Sequence, residues 1–343
     1  MEQKCKNEFD VIGFGEVMLR LSPIDKERIA QGEVFEKNAG GSELNVVSGI
    51  SLLGLRTGIL TKLPDNNLGY YIKNKIRSCG VSDDYIVFDE TKKARLGLYY
   101  YESGAYPRKP SVIYDRANSS VNSIGLDEIE KSIYVSCKIF HVSGITLGLG
   151  KGTRDVTVEM IKKFKQNNTL ISFDVNFRAN LWTEPEARKT IEPILKHIDI
   201  LFISEETIRK MFQMSEPLQD ALKEFSKKYD IKMVMTSRRK VINPTTHSFD
   251  SIAYCADNDE YYSEPPYDNI QVVDRIGSGD AFVAGALFAY LKFNDVKKCV
   301  EFGNAMAAIK NTVQGDLPSC DYNEICRVID SHKGMDGGSE MNR

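Results

Sequence analysis

Apolar positions along this chain follow two rhythms, and the switches between them mark its elements. The start, "DVIGFGEVMLRL" (10–21), is apolar at most positions and bounded by glycines, which predicts a strand. In "NAGGSELNVVSGISLLG" (38–54), Leu44, Val47, Ile50 and Leu53 recur at helical spacing after Gly40-Gly41. "RTGILTKL" (56–63) predicts a strand, and "LGYYIKNKIRSCG" (68–80) a helix stopped by a glycine. "VSDDYIVF" (81–88), "ARLGLYYYESG" (94–104) and "SVIYDRA" (111–117) read as short strands with no helix between them. From Glu130 onward strands alternate with helices: strands at 139–144, 169–176, 199–204 and 231–237, helices at 153–166, 186–198, 205–212 and 218–229.

That alternation predicts a mostly parallel sheet with helices on both faces, and the length allows one large α/β domain, over about 9–330, or two medium ones. The β-only segment at about 90–116, with residues near 16–38, does not fit it. This segment forms either a small sheet projecting over a cleft as a lid, or an antiparallel extension of the sheet edge. The polar tail 331–343 is expected to be disordered.

With 343 residues the chain can bury a substantial core. Its formal net charge of -3 and pI near 6.0 argue against nucleic acid as a partner, which needs a basic excess. The longest apolar run, 281–291, is about half of the roughly 20 residues a membrane span needs. "MEQKCKNEFD" is charged and has no apolar centre, so no signal peptide is expected. Seven scattered cysteines without a C-x-x-C pair suit reduced thiols in a cytoplasmic protein. The four histidines show no ligand spacing.

The chemistry concentrates in "VVDRIGSGDAFVAGALFAYL" (272–291), where Gly277, Ser278, Gly279 and Asp280 precede a long small-and-apolar run. A helix start presents unpaired N–H groups and partial positive charge, and glycines let the backbone close on an anion. Asp280 is a poor neighbour for a phosphate unless it serves as base for an attacking hydroxyl. On spacing alone that reading and a plain helix cap stay open.

"DRIGSGDAF" resembles the C-terminal signature of ribokinase-like (PfkB) carbohydrate kinases, D-T-x-G-A-G-D, with Arg275 for Thr and Ser278 for Ala. The resemblance runs over nearly the whole chain, through "DVIGFGE", "GGSELN" and "FDVNFR". It implies a ribokinase-like three-layer α/β/α domain with a β-sheet lid. It also implies phosphoryl transfer from ATP, with Mg2+, to a sugar hydroxyl. Asp280 would be the base, and Gly277, Ser278 and Gly279 the anion hole.

Gly41 suits close approach of a sugar to the backbone, and Asn45 lies one helical turn later. Strand alternation predicts Asp174, Asn176 and Arg178 on one side of a buried strand's end, where ligands collect in parallel sheets. A guanidinium at Arg178 or Arg116 suits an acidic sugar rather than a neutral ketose. The bland readings are a structural ion pair for Arg178, a surface charge for Arg116 and lid packing for the tyrosines. "FDVNFRANLW" is similar to the D-P-N-x-R-x-x-L-W run of 2-keto-3-deoxygluconate kinases and of fructokinases, with Val175 for Pro. That similarity implies Gly40, Gly41, Asn45, Tyr99, Tyr114, Arg116, Arg178 and Asp316 as substrate contacts. For ATP it implies Asn176, Thr236, Ser237, Arg238, Gly277, Gly279 and Asn304, with Ala308 near the adenine, although core packing is the stronger reading of Asn304 and Ala308.

Two family features are altered. "ISEET" replaces N-x-x-E, leaving the metal position unassigned among Ser204, Glu205, Glu206 and Thr207. "MTSRRKV" replaces the glycine-rich T-x-G-x-x-G nucleotide loop. The leading expectation is an ATP-dependent 2-keto-3-deoxygluconate kinase acting on the primary hydroxyl. A fructokinase or other neutral-sugar kinase, and a catalytically silent sugar sensor, are the alternatives. An exposed lid sheet is also expected to pair subunits into a homo-oligomer.

Overall fold

The computed structural model describes residues 7–335. Its strands are β1 (Phe9–Phe14), β2 (Met18–Pro23), β3 (Phe35–Gly40), β4 (Thr57–Pro64), β5 (Ile86–Asp89), β6 (Leu98–Glu102), β7 (Ser111–Asp115), β8 (Cys137–Ser143), β9 (Leu170–Asp174), β10 (Ile200–Phe202), β11 (Met233–Asn243), β12 (Thr246–Cys255), β13 (Glu260–Ser263) and β14 (Tyr267–Gln271). Its helices are α1 (Ser42–Leu52), α2 (Asn67–Ser78), α3 (Gly144–Gly148), α4 (Lys151–Gln166), α5 (Glu184–Ile191), α6 (Glu205–Lys210), α7 (Leu218–Tyr229), α8 (Ser278–Phe293), α9 (Val296–Asn311) and α10 (Tyr322–His332).

The main sheet runs β5-β4-β1-β8-β9-β10-β11-β12, with β13 and β14 sharing the outer edge of β12. Pairing is parallel from β5 to β11 and antiparallel beyond. Successive side chains enter opposite layers. Val11, Ile59, Ile139, Ile200 and Met233 pack with α1, α8 and α9, whereas Ile12, Leu60, Phe140, Leu201 and Val234 pack with α4, α5 and α7. Helix α8 is buried along most of its length. A Cβ on its Gly285 would stand 2.4 Å from the Phe302 carbonyl oxygen, so glycine there lets α9 lie close.

A separate four-stranded sheet, β3-β2-β6-β7, forms the lid. The run 10–21 is therefore two strands: β1 ends at Phe14, and β2 joins the other sheet. The edge-extension alternative for 90–116 does not hold. An antiparallel edge does exist, but residues 233–271 build it. The stretch 186–198 is also split, because Pro193 has no N–H to continue α5 and a 3-10 turn follows at Glu192–His197.

Helix α10 continues through Ser331 and His332, and the rest of the expected tail from residue 336 lies outside the described residues. Six cysteines among the described residues are free thiols. No helix among the described residues is long and apolar enough to cross a membrane.

Candidate active site

A cleft of about 1010 Å³ lies between the lid and the C-terminal ends of β9 and β10, with α1 and the start of α8 on its walls. The strand ends of a parallel sheet leave room there because the chain turns away to the covering helices.

Gly277 opens α8 with φ of 81°, and a Cβ there would stand 2.2 Å from the Asp316 carbonyl oxygen. Both facts restrict the position to glycine. A Cβ on Gly279 would meet no protein atom within 4 Å, so its face is open to the cleft. The Ser278 N–H is engaged by the Arg275 carbonyl at 3.3 Å. The N–H groups of Gly279 and Asp280 have no acceptor among the described residues, as the first turn of a helix dictates. The open anion donors are thus Gly279 and Asp280 rather than Ser278.

Asp280 is held on both oxygens. Ser42 Oγ donates to Oδ1 at 2.8 Å, and Asn45 Nδ2 donates to Oδ2 at 2.7 Å. Asn176 Nδ2 in turn donates to Ser42 Oγ at 2.9 Å. Burial pushes the Asp280 pKa up, opposed by the Asn45 and Ser42 bonds and then by Arg178. Asn45 Oδ1 is buried without a donor among the described residues, which leaves it ready to accept from a ligand hydroxyl.

Asp174 shares this floor. Burial and then repulsion from Asp280 push its pKa up to about 7, with Arg178 opposing. Glu43 lies beneath, accepting from Ser143 N, Ser143 Oγ and Thr146 Oγ1 at 2.9, 2.7 and 2.6 Å. Strand alternation does not place Asn176 and Arg178. β9 stops at Asp174, and Asn176 turns with φ of 36°. The turn still brings all three to the cleft. Arg178 is exposed and donates only to the Phe177 carbonyl, so its charge faces the cavity without an ion-pair partner among the described residues.

The lid supplies Tyr99, Tyr114 and Arg116. Arg116 is paired already: Nε donates to Glu16 Oε2 at 2.7 Å, and Nη2 meets the same oxygen. Its Nη1 has no partner among the described residues. Tyr99 and Asp316 bond each other. Gly40 lies behind them, where a Cβ would stand 2.1 Å from Asp316 Oδ2, and Gly41 faces the cavity.

Below the cleft is a charge network that sequence reasoning missed. Arg20, 1% exposed, reaches Asp274 Oδ2 at 2.6 Å, Asp316 Oδ1 at 2.9 Å and Ser22 Oγ at 2.8 Å. Burial works against its charge, but Asp316 and Asp274 hold it firmly protonated. Lys310 Nζ donates to the Asp274 and Val313 carbonyls, both at 3.3 Å. Asp274 also accepts from the N–H groups of Ile276 and Gly315. The available signal was a charged residue inside an apolar run, as in "VMLRLS" and "AMAAIKN".

On the nucleotide side, Ser237 and Arg238 line the cleft, but Arg238 is paired with Asp250. Thr236 is buried, with no partner for Oγ1 among the described residues, and does not line the cleft. Asn304 and Ala308 are buried in α9 away from the lining, and Asn304 donates to Glu264 at 3.1 Å. The sequence expectation that Asn304 and Thr236 face ATP thus finds no cleft surface at either residue. Ser204 caps α6, while Glu205 and Glu206 pair with Arg209 and Lys210 one turn on, at 3.1 and 2.6 Å. Among the described residues no group of three His, Cys, Asp or Glu is placed to cage a metal.

Residues 9–321 match the model of the pfkB family carbohydrate kinases. The chain belongs to that family. This PfkB kinase is 33% identical over 329 residues to a 2-dehydro-3-deoxygalactonokinase of Haloferax volcanii, covering 96% of this chain and 98% of that one. It is similar to the crystal structure of 2-dehydro-3-deoxygluconokinase from Thermotoga maritima, with a TM-score of 0.90 and 32% identity over 95% of this chain and 99% of the other. An Escherichia coli protein solved in complex with ATP and Mg2+ shares the fold, with a TM-score of 0.80 and 21% identity over 94% and 100% of the two chains. The PfkB kinase is a phosphotransferase with an alcohol acceptor, close to the 2-keto-3-deoxy-sugar kinases.

Proposed function

We propose that this kinase transfers the terminal phosphoryl group of ATP to the primary hydroxyl of 2-keto-3-deoxygluconate, giving 2-keto-3-deoxy-6-phosphogluconate. The observation that carries the reading is the double anchoring of Asp280 by Ser42 and Asn45, beside open N–H groups and in one cleft with Arg178 and Arg116. The acceptor hydroxyl donates to Asp280, which takes its proton as the oxygen bonds to phosphorus and the bond to ADP breaks. A carboxylate whose proton affinity is raised by burial is the better acceptor near neutral pH. The Gly279 and Asp280 N–H groups then carry charge on the transferred group.

A sugar acid loses hydration of its carboxylate on entering and needs a fixed cation. Arg178 offers a guanidinium whose only bond among the described residues is from Nη1 to the Phe177 carbonyl, and Arg116 offers Nη1 while Glu16 fixes the rest of its guanidinium. Mg2+ on the phosphates neutralises charge when bound. Of the carboxylates that line the cleft, Glu205 and Glu206 would hold it, with Arg209 and Lys210 released from them, which needs no three-ligand cage.

Coupled ADP release across 2-keto-3-deoxygluconate, its galactonate epimer and fructose tests the reading. The expected kcat/KM for 2-keto-3-deoxygluconate exceeds that for fructose by about a hundredfold. Preference for the galactonate epimer would reassign the sugar acid, preference for fructose would return the neutral-sugar reading, and no turnover with any would leave a sensor.

A further inference from the structure

The cleft contains two further guanidinium groups, Arg239 and Arg275, that no carboxylate among the described residues pairs with. Arg239 lies on β11 within the altered nucleotide loop, and Arg275 stands two residues before Gly277. Both line the cleft. Among the described residues neither has a carboxylate partner, and Arg275 Nε is buried with no hydrogen bond at all. Arg238, their neighbour, differs, because Asp250 on β12 already holds it. Tyr101 of the lid hydrogen-bonds Arg275, and the carboxylate of the adjoining Asp274 is held by Arg20. His247 of β12 is buried, and that burial with the fields of Arg239 and Arg275 keeps it neutral, its pKa lowered to about 4. Burial and Arg275 also weaken the hold of Arg239 on its proton.

Two cations kept close without a counter-charge favour a bound polyanion, because like charges repel until an anion lies between them. The missing glycines mean that backbone N–H groups at 236–241 cannot wrap a phosphate as a glycine-rich loop does. Charged side chains can take over that task, since guanidinium groups bind phosphate oxygens with two parallel N–H bonds. We infer that Arg239 and Arg275 form a clamp for the phosphate tail of the nucleotide, in place of the glycine-rich loop. The inference rests on the proposed kinase reading for the presence of a nucleotide, but not on which sugar is phosphorylated.

Calorimetric titration of the full chain with ATP, AMP and inorganic tripolyphosphate, with Arg239→Gln, Arg275→Gln and Arg275→Lys, tests it. Each Gln variant is expected to bind ATP and tripolyphosphate about tenfold more weakly, with AMP binding unchanged. Arg275→Lys is expected to recover part of the loss by restoring charge without the fork. In steady state the KM for ATP should rise while the KM for the sugar stays within about twofold. Unchanged ATP and tripolyphosphate binding in both Gln variants overturns the clamp, even if 2-keto-3-deoxygluconate is turned over. Equal loss for AMP also overturns it, because a general distortion would then be the cause. Weakened phosphate binding without turnover of any sugar acid sinks the proposed substrate and leaves the clamp standing.

Discussion

Arg20 Nη2 lies 2.6 Å from Asp274 Oδ2, and this contact joins a lid strand to the loop that leads into α8. The same guanidinium holds Asp316, whose carbonyl oxygen lies where a Cβ on Gly277 would be. Lid and anion hole are therefore mechanically connected through one buried cation. Arg20→Met leaves two buried carboxylates without it, and breaking a buried pair this way costs about 3–5 kcal/mol. Urea unfolding is expected to show a stability loss of that order, and an unmoved midpoint would argue that the network contributes little.

The glycines of the α8 turn should separate by experiment. Gly277→Ala meets both a left-handed backbone and the Asp316 carbonyl, so it is expected to lose stability by about 2 kcal/mol or more and activity with it. Gly279→Ala meets no protein atom. It should fold with a Tm within a few degrees of the wild type yet lose much of kcat/KM, because its methyl group enters the space of the phosphate. Equal thermal loss in both variants would contradict this division.

Asp174 makes stability depend on pH in an uncommon direction. Its folded pKa, about 7, lies above the ordinary carboxylate value, so the native state binds the extra proton. The native state therefore loses stability from this group as pH rises from about 4 through 7. Asp174→Asn removes the effect. The variant is expected to gain on the wild type in thermal denaturation between pH 5 and pH 8. A constant difference in Tm across that range would show that Asp174 is ionised throughout.

Arg116 needs a substitution chosen for its partner. Arg116→Ala would leave Glu16 buried without its counter-charge, with only the Ser119 hydroxyl donating to it, mixing a structural defect with any loss of substrate binding. Arg116→Lys keeps the charge opposite Glu16 and removes the fork. The expected result is a KM for 2-keto-3-deoxygluconate raised about tenfold, with the KM for fructose nearly unchanged. Equal rises for both sugars would assign Arg116 to lid structure.

The parts of this site legible from sequence were those built from local rules. Gly277 to Asp280 could be read because a helix start, two glycines and a carboxylate adjoin in the chain. The main layers could be read because strand and helix periods alternate from 139 onward. What stayed hidden depends on long-range pairing. Arg20 and Asp316 are 296 positions apart, and nothing local in "MLRLSP" names the partner. Arg116 read as a free cation because Glu16, 100 positions earlier, carries no mark of its burial. The β11–β14 edge was missed because the stretch after 237 opens with charged residues, and its antiparallel pairing becomes visible only with β12 in place. Asn304 was a ligand by resemblance only, with core packing the stronger reading, because a polar residue in an apolar helix suits a buried hydrogen bond as well as a site, and Glu264 claims it.

The most direct measurement is single-turnover phosphoryl transfer to 2-keto-3-deoxygluconate by the wild type and Asp280→Asn. Asparagine keeps the size of the side chain but cannot accept the proton. The rate is expected to fall by about a thousandfold or more, with ATP binding and Tm close to those of the wild type. A rate within about tenfold of the wild type would show that the acceptor hydroxyl loses its proton elsewhere, and the role given to the helix-start carboxylate would have to be abandoned.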